Sequence, residues 1–151
     1  MKIVLFQPQI PQNTGNIVRT CAVTGSELIL ITPLGFKIDD KSLKRAGLDY
    51  WEGVNVNLSD NLFDIIDLHY PRVFFLTSKG KNSLFDVEFR EDDVLVFGAE
   101  THGLPQEINE RYPENCIKIP MIENARCLNL ATSVGIATYQ AYRHFPQKLQ
   151  L

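Results

Sequence analysis

The sequence predicts an α/β domain built on a largely parallel sheet. Two observations carry that expectation: short β-branched or aromatic runs alternate with longer stretches of helical period, and several of the runs are apolar throughout, as strands covered on both faces must be. A third is size. With 151 residues, 44% of them hydrophobic and 22% charged, the chain has the length and composition of one ordinary globular domain. Such a domain buries about two thirds of its unfolded surface, so no disulfide or metal staple is needed to fold it.

The first strand is expected over Ile3–Phe6; Gln7 and Pro8 cut its apolar run far short of a signal-peptide core or a membrane span. A polar turn then leads into a helix over 13–25, with Ile17, Val18, Cys21 and Ala22 at helical spacing, Asn13 or Thr14 as N-cap and Gly25 as the stop. Further strands are expected at Leu28–Ile31, Val54–Asn57, Val73–Leu76, Val94–Phe97 and Ile117–Ile119. Helices fall between them at Asp40–Ala46, at Asn61–Leu68, and from Pro105, a good first helical residue, to Tyr112. The last helix, Asn129–His144, sets Leu130, Val134, Ala137, Ala141 and Phe145 on one stripe. There is no repeat or linker, so one unit, 1–151, is expected.

Composition excludes several function classes. Cys21, Cys116 and Cys127 are odd in number and lack CxxC spacing, which predicts reduced thiols in a cytoplasmic protein rather than a disulfide framework. His69, His102 and His144 have no metal-ligand spacing, and no metal is expected. A serine hydrolase lacks its GxSxG elbow, and a dinucleotide-binding oxidoreductase lacks its glycine fingerprint. Asn57-Leu-Ser59 matches a glycosylation acceptor by chance alone, since no secretion signal precedes it. The net charge of -3 argues mildly against a generic nucleic-acid binder, but the charge is divided. Residues 1–81 hold nine Lys/Arg against eight Asp/Glu, and 82–151 hold six against ten. That division fits an acidic body with a basic face.

Three segments are too polar or too glycine-rich for ordinary core. Pro11-Gln-Asn-Thr-Gly-Asn-Ile-Val-Arg19 opens a helix; it fits either an anion-facing turn or a plain strand-to-helix turn that uses Gly15. Val96-Phe-Gly-Ala-Glu-Thr-His-Gly-Leu-Pro105 ends a buried strand in glycine, where open α/β sheets admit ligands, though a capping role for Glu100 fits as well. Ile117 to Gly135 runs from a strand through a polar loop into the final helix, with Asn129 placed to cap it. Tyr50-Trp51, after Lys41, Lys44 and Arg45, suits either base stacking beside phosphate contacts or a core Trp beside a solvated helix.

In this order, the three segments resemble the motifs of the SPOUT class of S-adenosylmethionine-dependent RNA methyltransferases, and most closely the minimal tRNA wobble-position 2'-O-methyltransferase family of TrmL or YibK type. Ala46-Gly-Leu-Asp-Tyr50 and Leu76-Thr-Ser-Lys-Gly80 also resemble stretches of that family. The resemblance implies a single SPOUT domain with no separate RNA-binding domain and a trefoil knot at the C-terminal end, and a cytoplasmic homodimer acting on the anticodon region of tRNA. It implies methylation of the ribose 2'-OH of a cytidine or modified uridine at position 34. Two neighbouring readings remain beside it: a methyltransferase of the same class acting on another RNA, and a non-catalytic RNA-binding protein of the same fold.

Carried over residue by residue, the resemblance puts Leu76, Thr77, Gly98, Glu100, Ile119, Met121, Cys127, Leu128 and Leu130 around S-adenosyl-L-methionine, with Gly98 making a close backbone approach. Serine is common in the family at Cys127 and at Ala131, so Cys127 is expected to bind through its main chain. Asn129 and Ser133 would keep the loop's shape. The resemblance makes Arg19 the base or orienting group; the chemistry of a guanidinium favours holding a phosphate and stabilising developing alkoxide, with Asn16 positioning it and Tyr139 contributing a hydroxyl. RNA contacts fall to Arg19, Lys41, Lys44, Arg45 and Lys79.

Overall fold

A computed structural model describes residues 1–38 and 53–150. Its seven strands are β1 (Lys2–Phe6), β2 (Glu27–Ile31), β3 (Val56–Ser59), β4 (Val73–Leu76), β5 (Asn82–Ser83), β6 (Val94–Phe97) and β7 (Cys116–Lys118). They form one sheet in the order β3-β2-β1-β6-β4-β7-β5, and every ladder is parallel. The described α-helices are α1 (Pro11–Thr24), α2 (Leu62–His69), α3 (Gln106–Arg111) and α4 (Leu130–Tyr142). The expected helix Asp40–Ala46, with Lys41, Lys44, Arg45 and the Tyr50-Trp51 pair, lies outside the described residues.

Strand periodicity divides the core in two. Ile3, Leu5, Leu28, Leu30, Phe74, Leu95 and Phe97 face one side, where Ile17, Val18 and Cys21 of α1 meet Val134, Ala137 and Ala141 of α4. Their sequence neighbours Val4, Ile29, Ile31, Val73, Phe75, Val94 and Val96 face the other, against Leu62 and Ile66 of α2 and Ile108 of α3. Both faces are therefore buried, which is why these strands read as unbroken apolar runs.

The boundaries of the described elements that were expected agree to within two residues, and the shifts have physical causes. The third strand runs from Val56 to Ser59 instead of Val54 to Asn57: its alternation continues past Asn57, and the ladder with β2, Leu28 opposite Val56 to Ile31 opposite Ser59, sets where pairing begins. β5 went unpredicted because two polar residues carry no periodicity. Asn13 and Thr14 are not N-caps. The helix starts earlier, with Pro11 in its first turn and Ile10 at the cap position, and both residues are buried inside it. Gly25 stops α1 as expected, in the left-handed region at φ 67°. Pro105 precedes α3 instead of opening it, and α4 ends at Tyr142, two residues before His144.

α1 and α4 pack side by side and run parallel, tied at both ends. At their starts Asn129 Nδ2 donates to Asn13 Oδ1 at 2.9 Å. At their ends the Tyr142 hydroxyl donates to the Thr24 carbonyl at 2.5 Å and lies 3.3 Å from Ser26 Oγ.

The amino edge of the sheet has its own fixed point. Asp93 is fully buried and accepts from Arg72 Nε at 2.6 Å, Arg72 Nη2 at 2.5 Å and the Arg90 backbone N–H at 2.8 Å. Its carbonyl also accepts from Lys2 N at 3.1 Å, so the pair joins β1, β4 and β6 where they begin. Removing one partner of such a pair strands the other, and Asp93→Ala is expected to lower unfolding stability by about 3 kcal/mol in urea titration.

Candidate functional site

The site lies at the carboxyl ends of adjacent strands, where parallel sheets bind ligands. A cavity of about 730 Å³ opens there. Its walls come from the segments after β4 (Leu76–Lys79), β6 (Phe97–Leu104) and β7 (Lys118–Met121), from 127–130 with Ser133, and from Ile10 and Asn13.

Glu100 organises these walls. Its Oε2 accepts from Gln9 N at 2.7 Å, and its Oε1 accepts from Ile10 N at 3.0 Å and from Asn13 Nδ2 at 3.2 Å. Because a carboxylate only accepts, Asn13 must present its amide N–H there and turn its oxygen the other way. That oxygen meets Asn129 Nδ2, which leaves Asn129 Oδ1 free to cap α4 through Ala131 N at 2.8 Å and Thr132 N at 3.2 Å. One directional chain thus joins the three polar segments. An anion does sit against the entry to this helix, and it is the protein's own Glu100, held by the Gln9 and Ile10 amides just before the first segment and by Asn13 within it.

The glycines of the second segment serve the loop itself. A Cβ on Gly98 would stand 2.3 Å from the carbonyl carbon of Gly103 and 2.5 Å from Leu104 N. Ala99 and Gly103 exchange two backbone hydrogen bonds at 3.0 and 3.2 Å, and Gly103 takes φ 66°. Gly98 makes a close approach to its own chain while it also lines the cavity. A side chain there would break the loop before any ligand met it.

All nine residues expected around a cofactor line this one cavity: Leu76, Thr77, Gly98, Glu100, Ile119, Met121, Cys127, Leu128 and Leu130. Lys79, expected to meet RNA, is on the lining too. Arg19, Asn16 and Tyr139 are not: they lie on the exposed outer faces of α1 and α4. Sequence reasoning missed Lys118, Ser78, His102 and Asn109 on the lining. Lys118 follows a buried strand residue and reads only as strand alternation. Asn109, whose Oδ1 is buried with no hydrogen-bond partner among the described residues, carries no sequence signal at all.

The apolar part of the wall is unusually open. Met121 and Leu128 are 44% and 39% exposed, within a stretch from Pro120 to Asn129 that is exposed throughout. A wall of this kind suits a ligand with an apolar, planar part held mainly by loop backbone. Among the described residues no group of three or more His, Cys, Asp or Glu could hold a metal ion, and no helix is long and apolar enough to cross a membrane.

The model of the SpoU rRNA Methylase family matches residues 1–139. A tRNA (cytidine(34)-2'-O)-methyltransferase from Methylovorus glucosotrophus is 49% identical over 143 residues, 93% of each chain. A solved structure concerned with the 2-OH methylation of C/U34 on tRNA is 44% identical, with TM-score 0.88, and the match covers 97% of this chain and 96% of that one. An AdoMet-bound rRNA methyltransferase from Sinorhizobium meliloti is 26% identical with TM-score 0.82, over 95% of this chain and 56% of its own.

Two measurements test the site's construction. Asn13→Leu removes both of that residue's amide bonds and is expected to cost about 2 kcal/mol, and Asn129→Ala about 1 kcal/mol as a lost cap. The double variant should cost less than the sum, since both changes break the same chain. Thiol labelling gives the second. Burial pushes Cys21 up to about 12 and raises Cys116, whereas Cys127 is exposed on the cavity wall. Iodoacetamide at pH 8 should therefore modify only Cys127 in the folded protein, and all three after denaturation.

Proposed function

The chain belongs to the SpoU methylase family, and from that premise we propose that it transfers a methyl group from S-adenosyl-L-methionine to the ribose 2'-OH of the nucleotide at position 34 of tRNA, a cytidine or modified uridine. The observation that carries the reading is convergence: three segments far apart in the chain are joined by the Glu100–Asn13–Asn129 hydrogen bonds into one cavity. The end-to-end similarity to a 34-specific tRNA enzyme favours tRNA over ribosomal RNA.

The residues present fit the cofactor. Leu76, Ile119, Met121, Leu128 and Leu130 form an apolar lining for an adenine ring, and the backbone of Thr77, Gly98 and Cys127 offers polar groups for the ribose and the methionyl part. Glu100 supports the wall through Gln9, Ile10 and Asn13. When bound, the cofactor supplies an electrophilic methyl group. Arg19 would hold the phosphate beside the target ribose and stabilise negative charge developing on its oxygen, through the planar fork of donors its guanidinium presents. Asn16, one helical turn earlier, would orient it, and the Tyr139 hydroxyl would complete the group.

This assignment requires two copies of the chain. Arg19, Asn16 and Tyr139 do not line the cavity of their own chain, yet they share an outer face of the α1–α4 pair with Val23 and Ile136, apolar side chains 60% and 37% exposed. A homodimer in which that face meets the partner's cavity would cover the apolar residues and complete both sites. The single domain then binds cofactor and tRNA anticodon region together, in the cytoplasm. The C-terminal knot belongs to the same reading. What supports it is how tightly the chain closes on itself beside β7: a Cβ on Gly80 would stand 2.6 Å from the carbonyl carbon of Ile117.

Parallel incubations of bulk tRNA and of ribosomal RNA with labelled S-adenosylmethionine, followed by nucleoside mapping, should place label at nucleotide 34 of tRNA as a 2'-O-methyl group. Label in ribosomal RNA alone, or in no RNA, overturns the reading. Arg19→Ala should keep cofactor affinity and lose at least about 100-fold in methyl transfer. Ile136→Glu should yield a monomer by sedimentation that has lost transfer as well.

A further inference from the structure

The sheet edge beside the cavity carries charge and aromatic surface that the mechanism above leaves unused. β7 is followed outward by β5, the last strand of the sheet, and the ladder sets Ser83 opposite Lys118. Lys79 and Lys81 precede β5, Phe85 follows it, and these residues and Lys118 are all exposed, Phe85 by 58%. The segment that bears them is held in place. Thr77 Oγ1 accepts from Lys79 N at 3.2 Å, Asn82 Nδ2 donates to the Glu114 carbonyl at 3.1 Å, and Ser83 Oγ accepts from Phe85 N at 3.1 Å. Leu84 is fully buried between Ser83 and the exposed ring. Among the described residues none of the three lysines makes an ion pair. Lys79 and Lys118 also line the cavity, so the strip runs from the cavity mouth to the sheet edge.

We infer that this strip holds the single-stranded RNA flanking the target nucleotide, with Lys79, Lys81 and Lys118 on its phosphates and Phe85 stacked on one of its bases. The inference rests on the proposed methyl transfer to tRNA and adds the path that the substrate takes away from the cavity. Uncompensated cations on a fixed backbone are what a polyanion needs, because no protein carboxylate has to be displaced. The ring decides between forms of RNA: it has a partner only where bases are unstacked, in a loop or single strand, since those of a duplex are already stacked. Lysines on an edge strand have another use, to discourage strand addition by a second molecule, and that role makes a different prediction.

The test uses the full-length protein with tRNA and, separately, an anticodon stem-loop, after wild-type transfer has been measured. Lys81→Gln/Lys118→Gln should raise the KM for tRNA about fivefold or more, with the deficit made up by excess tRNA, and flatten the slope of log affinity against log salt by about 0.7 per lysine. Phe85→Ala should weaken stem-loop binding about tenfold while leaving the salt slope unchanged. S-adenosylmethionine affinity should stay at the wild-type value in Phe85→Ala and in Lys81→Gln alone, whose side chains lie off the cavity lining. An unchanged tRNA affinity and salt slope overturns the inference, including the case in which the lysine variants merely aggregate more readily. If the wild type transfers no methyl group to tRNA, the proposed function fails by itself, and the strip is judged on the binding titrations alone.

Discussion

The carboxylate of Glu100 is the constraint on which the site depends. It is half-buried at the end of β6, and a half-buried charge is tolerable only when its lone pairs are met. Two backbone amides just before α1, of Gln9 and Ile10, and the side-chain amide of Asn13 in its first turn meet them. Since a carboxylate has no proton to give, the polarity of every later bond is fixed: Asn13 donates to it, Asn129 donates to Asn13, and the helix amides of α4 donate to Asn129. The position of α4 over the sheet is thus tied to the charge on one side chain thirty residues earlier in the chain.

The same chain decides the electrostatics of the cavity. Glu100 is the one carboxylate on its wall among the described residues, and it is spent on structure. The charged groups left over are the lysines at the mouth. An acidic protein can in this way present lysines at the cavity mouth, because much of its negative charge is placed elsewhere: on the α2 and α3 faces, on the Glu88–Asp93 turn, and in the internal pair of Asp93 with Arg72. Net charge counts residues, whereas a polyanion responds to where they stand.

The apolar runs made the parallel sheet legible from the sequence, because strands buried on both faces cannot hide their composition. The α4 stripe of Leu130, Val134, Ala137 and Ala141 was equally legible, and these four and Phe145, just past the helix end, are all buried. The contents of the cavity wall were readable only through resemblance: nothing in the spacing of Leu76, Gly98 and Cys127 says that they meet. β5 was invisible, since pairing of Asn82 and Ser83 depends on a neighbour strand rather than on their own character. Asn13 misled for an instructive reason. A short polar residue before an apolar helix normally serves as its cap; here its amide bridges Glu100 and Asn129, and Pro11 has already started the helix.

The parallel pair of α1 and α4 is fastened at its start through Asn13 and Asn129 and at its end through Thr24 and Tyr142, which turns two independent helices into a matched set. Their lengths are no longer free to drift. Adding or deleting one residue in either helix would rotate everything beyond it by about 100° and shift it by about 1.5 Å, so one fastening or the other would be lost. Change in this region is confined to substitution. Insertions have to find room in the loops, and the reach of Arg19 from the sheet is held as firmly as if it stood on a strut cut to length.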